Sequence, residues 1–359
     1  MTDNQQPICI LCGNTKMIDL GYRHNFQTES DRLGYSKYVT NISNFDKKIF
    51  SCPICGLASI FPPYSENDLN DLCCPQKYFD FLMSMADEIN SLDAVSDIWI
   101  NQLSDLGLTQ WIENFVNNQQ RKPKVLDVGC GHGHKLYTLN KMGCEVIGIE
   151  QNPYFCEYIK KNFSLPVIEG DLRYYRTHDK YDLIFSSHNI EHLENPVEYM
   201  ALIKSFLSPD GIICIETPWA EDNGSYSNRY RDIYHNLFFN HTSLFILAMK
   251  AGFVIEKINY INFGTKGSYH KYIQLLLKPQ ELLIESFNYE SINKIICSLE
   301  IMASDEINKR ISLENDIAIF EKELVYDTNP VFYLKIFAKK FIRLVQRKFL
   351  IPSNEKLNV

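Results

Sequence analysis

The sequence predicts an α/β protein built around a seven-stranded, mainly parallel sheet, and two observations predict it. From Lys124 onward, short β-branched runs alternate with helical segments, a pattern typical of a parallel sheet covered by helices on both faces. The first of these runs leads into a glycine-rich turn, "DVGCGHG", which stands between a predicted strand and a predicted helix. At 359 residues, the chain is also long enough for two or three domains.

Four regions are expected along the chain. Residues 1–75 are rich in Cys, Pro and Asn, and residues 76–120 show helical spacing of apolar side chains. Residues 121–279 carry the alternating pattern, and residues 280–359 are helical and charged. The seven runs predicted as strands are KVLDVG, EVIGIE, PVIEGD, YDLIFSS, GIICIETP, FVIEKINYI and KYIQLLL. No long helix separates the last two, which allows the final strand to be an antiparallel hairpin partner.

Composition and charge exclude several classes of protein. The apolar runs are far shorter than the roughly 18 residues that a membrane span requires, and the polar start lacks the features of a signal peptide, so we expect a cytoplasmic protein. The net charge is −8, but the segment from Pro330 onward, with seven Lys or Arg and one acid, carries +6 and the remainder −14. An acidic body disfavours nucleic-acid binding, which relies on cationic contacts to phosphates.

The glycine-rich turn predicts a cofactor that carries positive charge. Gly129, Gly131 and Gly133 allow a tight turn and let a ligand lie against the backbone. Their G-x-G-x-G spacing differs from the dinucleotide fingerprint, in which a pyrophosphate meets the helix N-terminus. Asp127 would repel a pyrophosphate but attract the sulfonium and α-ammonium groups of S-adenosylmethionine.

Acids close the next two predicted strands. Glu150 ends "EVIGIE", about 20 residues after the loop, where a carboxylate can accept hydrogen bonds from both ribose hydroxyls. Asp171 ends "PVIEGD", where it can meet the adenine amino group. A tight strand–helix connection would explain the glycine turn by itself. It would not explain why the glycine turn, Glu150 and Asp171 follow three consecutive predicted strands.

With these motifs, residues 124–278 resemble the core of class I S-adenosylmethionine-dependent methyltransferases. The resemblance implies a Rossmann-like methyltransferase fold of seven strands with the final strand antiparallel. It implies that the loop contacts the methionyl part of the cofactor, that Glu150 contacts the ribose, and that further residues flank the adenine or lie near the reacting end. The implied cofactor-binding residues are Asp127, Gly129, Cys130, Gly131, Gly133, Glu150, Asp171, Leu172 and Ser187.

The stretch His188–Pro196 places two histidines and a glutamate directly after the fourth predicted strand. H-x-x-E-H is also a zinc-hydrolase signature, but those ligands lie on a helix, whereas Pro196 here starts the next helix after a loop. A hydroxyl or carbon acceptor needs a base, and a histidine that titrates near neutral pH suits that role. We therefore predict His192, Glu191 and His188 as catalytic residues. A loop-ordering role for His192, or a divalent-ion site at these three residues, stays open.

A 24-residue loop, Pro218–His241, follows the fifth predicted strand, and loops of this length are usually lids or binding loops, or else disordered. His235 resembles a residue that leads into the next helix in sugar-modifying methyltransferases. The aromatic side chains of this loop can stack on a sugar, and its cationic side chains can hold a phosphate. The predicted substrate-binding residues are His235, Tyr234, Tyr230 and Arg229.

Two cysteine pairs, Cys9-x-x-Cys12-Gly and Cys52-Pro-x-Cys55-Gly, predict a structural metal site. In each pair both thiolates can face one ion, and two such pairs make a tetrahedral four-thiolate zinc site with no open position. Reduced structural cysteines are the alternative.

A zinc-binding N-terminus ahead of this core resembles sugar C-methyltransferases that act on nucleotide-linked deoxy-keto sugars. In that family, the pair that corresponds to Glu191 and His192 is assigned to base catalysis, a tyrosine stands where this chain has Asn189, and a large third domain follows where only about 80 residues remain here. The resemblance implies methyl transfer to a nucleotide-linked, glycan or natural-product sugar, at carbon or oxygen. RNA methylation and an inactive zinc-ribbon adaptor remain the alternatives.

The C-terminal segment predicts a basic amphipathic helix. Leu334, Phe337 and Phe341 can share one face, with Lys335 and Lys339 elsewhere on the cylinder. Such a helix can contact an anionic membrane surface or dock on the acidic body of a protein.

Overall fold

A computed structural model describes residues 7–25, 46–65, 68–69, 75–86, 92–220, 235–263 and 270–280. The predicted C-terminal helical extension with its basic tail lies outside the described residues, as do the candidate substrate-binding residues Arg229, Tyr230 and Tyr234. Within the part of the chain that is described, no helix is long and apolar enough to cross a membrane.

The described residues alternate between strands and helices, as the sequence predicts from Lys124 onward. In chain order the elements are β1 (Ile18–Asn25), β2 (Asp46–Ser51), β3 (Ala58–Phe61), α1 (Pro75–Ala86), α2 (Leu92–Asp105), α3 (Leu108–Gln119), β4 (Lys124–Val128), α4 (His134–Lys141), β5 (Glu145–Glu150), α5 (Pro153–Phe163), β6 (Val167–Glu169), β7 (Tyr181–Ser187), α6 (Pro196–Ser205), β8 (Leu207–Pro218), β9 (Leu237–Phe238), α7 (His241–Lys250), β10 (Phe253–Phe263) and β11 (His270–Pro279).

Seven of the described strands form one sheet in the order β10-β11-β8-β7-β4-β5-β6. The strands from β6 to β8 pair in parallel, and β11 is antiparallel to both β8 and β10. The predicted seven-stranded sheet with an antiparallel final strand is therefore confirmed. Because β11 inserts between β10 and β8, the penultimate strand β10 forms the edge of the sheet.

Local sequence explains why the helices of this region begin where they do. Helices α5 and α6 both start with Asn-Pro: Asn152 accepts a hydrogen bond from the Tyr154 N–H, and Asn195 accepts one from the Glu198 N–H. Asparagine at the N-cap accepts a hydrogen bond from a backbone N–H that would otherwise lack a partner. Proline suits the first helical turn because it has no backbone N–H and therefore needs no acceptor there. Helix α5 thus begins directly after β5, whereas α6 begins after the short segment that follows β7.

The N-terminal residues form a second sheet, which takes one strand from the region that contains the seven-stranded sheet. Strands β1, β2 and β3 pair antiparallel in that order, and β9 pairs with the free edge of β3 through Ala58–Phe238 and Ser59–Leu237. The sequence predicts one loop over Pro218–His241, so β9 is a correction. A two-residue segment is too short to show the alternation that predicts a strand. Leu237–Phe238 becomes a strand because it pairs with the edge of β3.

Asn236, directly before β9, joins the two sheets through buried hydrogen bonds. Its side-chain oxygen accepts from the Tyr64 N–H at 2.7 Å, and its Nδ2 donates to the carbonyls of Tyr64 at 3.0 Å and His192 at 2.9 Å. Its backbone N–H donates to the Glu191 carbonyl, and its own carbonyl accepts from the Ile60 N–H. One side chain thus connects the N-terminal sheet to the segment that follows β7.

We expect Asn236→Ala to lower the free energy of unfolding by about 3 kcal/mol, because buried donors and acceptors of Tyr64 and His192 lose their partner. Urea unfolding followed by circular dichroism measures the change. Asn162→Ala, which removes an exposed amide from α5, is the control and should change the free energy by less than about 0.5 kcal/mol. Equal effects of the two substitutions would contradict the role assigned to Asn236.

Candidate active site

A cavity of about 1010 Å³ opens at the carboxyl ends of β4, β5, β7 and β8. In open α/β sheets, this edge is where loops of successive strands converge and where ligands bind. The residues after each strand contribute to its wall: the glycine turn after β4, Glu150 at the end of β5, His188 after β7 and Glu216 near the end of β8.

The glycine turn adopts a backbone that side chains rarely tolerate. Gly129, Gly131 and Gly133 have φ of 71°, 51° and 77°. A Cβ on Gly133 would lie 2.5 Å from Ile159 Cγ1, so this position brings α4 close to α5. A Cβ on Gly131 would meet nothing within 4 Å and would stand in the open cavity, where a ligand can approach the backbone.

Glu150 is fixed by two backbone donors at the end of β5. Its Oε2 accepts from the Gly131 N–H, and its Oε1 accepts from the Asn152 N–H, each at 2.8 Å. Burial raises the pKa of Glu150, and these backbone hydrogen bonds oppose the shift because they favour the carboxylate. The side chain thus holds the glycine turn and the start of α5 in register while it lines the cavity.

Asp127 is a buried carboxylate in the cavity wall with an incompletely satisfied acceptor. Only 2% of the residue is exposed, and its Oδ2 has no hydrogen-bond partner. Burial raises the pKa of Asp127 to about 7, while the nearby Lys135 ammonium favours the charged form. A buried carboxylate without a partner is costly, so a cationic ligand in the cavity would relieve it.

The residues after β6 form a further part of the wall. Asp171 caps a short 3-10 helix, Leu172–Tyr174, by accepting from the Arg173 N–H at 2.7 Å, and it pairs with the Arg173 guanidinium. Although partial burial raises the pKa of Asp171, the hydrogen bonds from Arg173 outweigh this and lower it. Leu172 is buried and adds an apolar surface beside the carboxylate.

Ser187 belongs to a buried ionic network that the sequence analysis does not predict. The Lys135 ammonium pairs with Glu216 Oε1 and donates to Ser187 Oγ at 2.7 Å, and Ser187 Oγ donates to Glu216 Oε1 at 2.9 Å. Gln274 on β11 donates to the other Glu216 oxygen at 2.7 Å. Although burial raises the pKa of Glu216, the Lys135 charge outweighs it and places the pKa far below its usual range.

Three histidines surround Glu191, which is 1% exposed. Its Oε2 accepts from Thr217 Oγ1 at 3.0 Å, whereas its Oε1 accepts no hydrogen bond. The imidazole nitrogens of His188, His235 and His192 lie 3.4, 3.8 and 4.0 Å from that Oε1. We call these four residues, His188, Glu191, His192 and His235, the histidine–glutamate cluster.

His188 lies between two buried carboxylates on a strained backbone. Its φ of 51° is unusual for a residue other than glycine, and its Nε2 lies 3.3 Å from Glu216 Oε1. Burial by itself would lower the pKa of His188, but the carboxylates of Glu191 and Glu216 raise it to about 9. Despite desolvation, the three imidazoles in turn lower the pKa of Glu191 to about 2.

The cysteine pairs converge in the N-terminal sheet, as their spacing predicts. The four Sγ atoms lie within 4.8 Å of one another, with Cys9–Cys55 and Cys12–Cys52 at 3.4 Å, far beyond the roughly 2.05 Å of a disulfide bond. Each pair has the same turn, in which the glycine after the second cysteine, Gly13 or Gly56, donates to the carbonyl of the first cysteine. This arrangement fits tetrahedral thiolate coordination.

The structure brings most predicted site residues to one place. The predicted cofactor-binding residues line a single cavity wall apart from Gly133, which lies just behind it at the start of α4, and His188 and His192 line the same cavity. His235 is buried beside Glu191 and is not among the residues that line the cavity. Other residues that line the cavity are not predicted from the sequence, among them Lys135, Glu216, Trp99 and Tyr272. Of these, Glu216 carries a signal in the sequence, an acid near the end of a predicted strand.

Comparison with known proteins identifies the central part of the chain. A family model described as a methyltransferase domain matches residues 102–258. Residues 102–258 therefore form a methyltransferase domain, and the prediction of an S-adenosylmethionine-dependent methyltransferase is confirmed at the level of this domain.

Curated relatives align with about a quarter of the chain. They include the mitochondrial ubiquinone biosynthesis O-methyltransferase of Schizosaccharomyces pombe, 28% identical over 102 residues, and the tRNA U34 carboxymethyltransferase of Azotobacter vinelandii, 29% identical over 107 residues. A third is the (S)-coclaurine N-methyltransferase of Papaver somniferum, 32% identical over 101 residues. These alignments cover 26%, 27% and 26% of this chain and 37%, 33% and 28% of the relatives, so the chain spans about a third of their length.

Similar solved structures include the plantazolicin methyltransferase BpumL in complex with SAH, at 16% identity and a TM-score of 0.39 over 53% of this chain and 89% of that one. Another is a SAM-dependent methyltransferase from Thiobacillus denitrificans in complex with S-adenosyl-L-homocysteine, at 16% identity and a TM-score of 0.40 over 50% and 91%.

The cavity fits S-adenosylmethionine on observations of its own residues. The unpaired Asp127 oxygen can accept a hydrogen bond from a cationic ligand group, and the open space at Gly131 lets a ligand lie against the backbone. Glu150 presents a carboxylate beside that glycine. The described wall carries six carboxylates and three cationic side chains, a balance that favours a cationic ligand. The carboxylates are Asp127, Glu150, Asp171, Glu194, Glu198 and Glu216, and the cations are Lys135, Arg173 and His188, whose raised pKa keeps it protonated at neutral pH.

We expect the affinity for S-adenosylhomocysteine, which keeps the α-ammonium group, to fall as the pH drops below about 7. The pKa of Asp127 is raised, so the side chain is charged above about pH 7 and neutral below it, and the neutral form does not attract the ammonium group. Well below pH 7, the dissociation constant should rise almost tenfold for each unit by which the pH falls. Titration calorimetry between about pH 5.5 and 8 measures it.

Asp127→Asn should bind at least tenfold more weakly at about pH 8 and lose this pH dependence. Asp179→Asn, which changes an exposed acid, is the matched control and should behave like the wild type. The same pH profile in Asp127→Asn and in the wild type would contradict the assignment of this titration to Asp127.

Proposed function

We propose that the whole protein is an S-adenosylmethionine-dependent methyltransferase that transfers a methyl group to a sugar at oxygen or carbon. The observation that carries the proposal is the proximity of two sites in one cavity. The carboxylates and glycine turn that suit the cofactor line the same cavity as His188 and His192.

The chain's own residues divide the work between binding and proton handling. S-adenosylmethionine would supply an electrophilic methyl group on a sulfonium. Asp127, the Gly131 backbone and Glu150 would hold that cofactor, with Asp171 and Leu172 beside its adenine. His192 is the candidate base for the acceptor, and the buried carboxylate of Glu191 lies 4.0 Å from its imidazole.

A sugar acceptor is supported by the chemistry of the remaining wall. Trp99 and Tyr272 present aromatic surface, and His188 packs edge-on against Tyr272 with ring centroids 4.5 Å apart. Aromatic faces beside polar groups suit the amphipathic faces of a sugar ring. The paired cysteines ahead of the core add the resemblance to sugar-modifying methyltransferases.

RNA methylation is the second candidate, because one class of relative is named a tRNA U34 carboxymethyltransferase. The carboxylate-rich wall and the acidic first 329 residues favour a small or glycan acceptor over a polyanion.

The first experiment incubates the full-length protein with methyl-labelled S-adenosylmethionine and a fractionated extract of its native cell. Label in the nucleotide-sugar or glycan fraction is the expected result, and the labelled atom distinguishes carbon from oxygen transfer. Label confined to RNA would contradict the sugar proposal while leaving methyl transfer intact.

His192→Ala should lower turnover by at least 100-fold and leave S-adenosylhomocysteine affinity unchanged, because a base contributes about 10²- to 10⁴-fold to rate and does not hold the cofactor. The matched control is His178→Ala, an exposed histidine before β7, at the end of the sheet away from the cavity. Undiminished turnover of His192→Ala would remove this residue from the catalytic role.

We further propose that Cys9, Cys12, Cys52 and Cys55 bind one structural Zn²⁺. The converging Sγ atoms and the matching turns support four-thiolate coordination, which leaves no open position for chemistry. Binding energy on the order of 10 kcal/mol would stabilise a small sheet.

Cys55→Ala should lose one equivalent of zinc per chain relative to the wild type, measured by elemental analysis after dialysis against a weak chelator. Cys144→Ala, which truncates a buried cysteine outside the cluster, is the control and should keep the wild-type zinc content. The same zinc content in Cys55→Ala and the wild type would exclude the proposed site.

A further inference from the structure

The unpaired oxygen of Glu191 is the feature that the proposed roles leave unexplained. The carboxylate is 1% exposed, Thr217 Oγ1 satisfies one oxygen, and the other accepts no hydrogen bond. A buried carboxylate oxygen is costly unless a cation or donor faces it. Three imidazole nitrogens point to the same small volume, yet none comes within the 2.7–3.2 Å of an N–H···O hydrogen bond.

The separations fit a shared ion better than direct hydrogen bonds. Imidazole nitrogens and carboxylate oxygens bind zinc-sized ions at about 2.0–2.2 Å, so two ligands of one ion lie no more than about 4.3 Å apart. His235 Nε2 and His192 Nε2 lie 3.8 and 4.0 Å from Glu191 Oε1. The ligand atoms of Glu191, His192 and His235 all lie within 4.8 Å of one another.

We propose that Glu191, His192 and His235 bind one divalent transition-metal ion, of the class of Zn²⁺, Mn²⁺, Co²⁺ or Fe²⁺, at the acceptor side of the cavity. Two imidazoles and a carboxylate form a ligand set that suits these ions and leaves coordination positions open. His192 also lines the cavity, so the open positions are within reach of an acceptor.

The surrounding structure holds the three ligands in place. Thr217 orients the Glu191 carboxylate by occupying Oε2, which turns Oε1 toward the imidazoles. The Asn236 amide donates to the His192 carbonyl, and the Asn236 N–H donates to the Glu191 carbonyl. Because Asn236 directly follows His235 and precedes β9, the pairing of β9 with the N-terminal sheet also fixes the position of His235. Such supporting contacts are what a preformed metal site requires.

His188 is a fourth neighbour of the same oxygen. Its Nδ1 lies 3.4 Å from Glu191 Oε1, and its Nε2 lies 3.3 Å from Glu216 Oε1. It bridges the ion site to the Lys135–Glu216 pair, and we assign it a positioning role, not that of a ligand. The six carboxylates in the cavity wall would attract a divalent cation to this region.

This inference rests on the proposed function in one respect, the presence of an acceptor in the cavity. An ion with open positions would bind an acceptor hydroxyl and lower its pKa, so that the hydroxyl loses its proton to solvent. The resulting oxygen forms a bond to the methyl carbon as the carbon–sulfur bond breaks. The products are a methyl ether, S-adenosylhomocysteine and one proton. In that state, His192 is a ligand and the ion takes over the task of the base.

Metal binding to the full-length protein tests the site without any acceptor. Protein carrying zinc in its cysteine cluster is titrated with Mn²⁺, which binds imidazole and carboxylate better than thiolate, and free Mn²⁺ is measured by electron paramagnetic resonance. A parallel calorimetric titration uses Zn²⁺. We expect one further ion per chain, with affinity lowered at least tenfold in Glu191→Gln and in His235→Ala.

Matched variants keep the test specific. Glu157→Gln makes the same chemical change on an exposed glutamate of α5 outside the cavity wall, and His178→Ala removes an exposed histidine; both should bind metal like the wild type. S-adenosylhomocysteine affinity, unchanged in every variant, shows that the cavity is folded. Absence of a further Mn²⁺ or Zn²⁺ site in the wild type, or equal binding in Glu191→Gln, would overturn the proposal. Label in RNA with the ion bound would instead overturn only the sugar acceptor.

Discussion

The buried hydrogen bonds of Asn236 are the constraint on which the candidate site depends. They connect the edge of the N-terminal sheet to the segment after β7, through the backbones of Tyr64 and His192. Because Asn236 lies between His235 and β9, the same bonds determine where the His235 imidazole stands relative to Glu191. The N-terminal sheet therefore contributes to the active site without placing a side chain of its own in the histidine–glutamate cluster, and a metal in the four-cysteine cluster would stabilise that contribution from a distance.

Burial of charge at the carboxyl ends of the strands is the energetic cost of this cavity. Asp127, Glu191 and Glu216 are each at most 3% exposed, and only Glu216 has both oxygens fully engaged by protein partners. An isolated buried carboxylate would be strongly destabilising, so its retention is best explained by a ligand that compensates it. Asp127 suits the cation of a cofactor, and Glu191 suits a metal ion. The two unsatisfied oxygens thus stand at the two places where the proposed chemistry needs positive charge.

The two ends of the cavity differ in how they are built. On the cofactor side, the groups come from neighbouring parts of the chain: a glycine turn, the strand end after it and the next strand end. On the proposed acceptor side, Lys135 follows the glycine turn, Glu216 lies near the end of β8, and Gln274 lies on β11, yet they meet in one network. A cofactor that many proteins share can be bound by a local motif, whereas the acceptor site is assembled from distant segments.

The sequence by itself determined the seven strands, the glycine turn with Asp127, the acids at the end of β5 and just after β6, and the convergence of two cysteine pairs, because each depends on spacing along a short stretch of chain. Only the tertiary structure decided that β11 inserts between β8 and β10, that Leu237 and Phe238 become a strand, and that His235 stands beside Glu191. Such features arise from contacts between residues far apart in sequence; β9 and β3, for example, are separated by more than 170 residues. Periodicity and local motifs carry no information about those contacts, which depend on packing and on burial of polar groups.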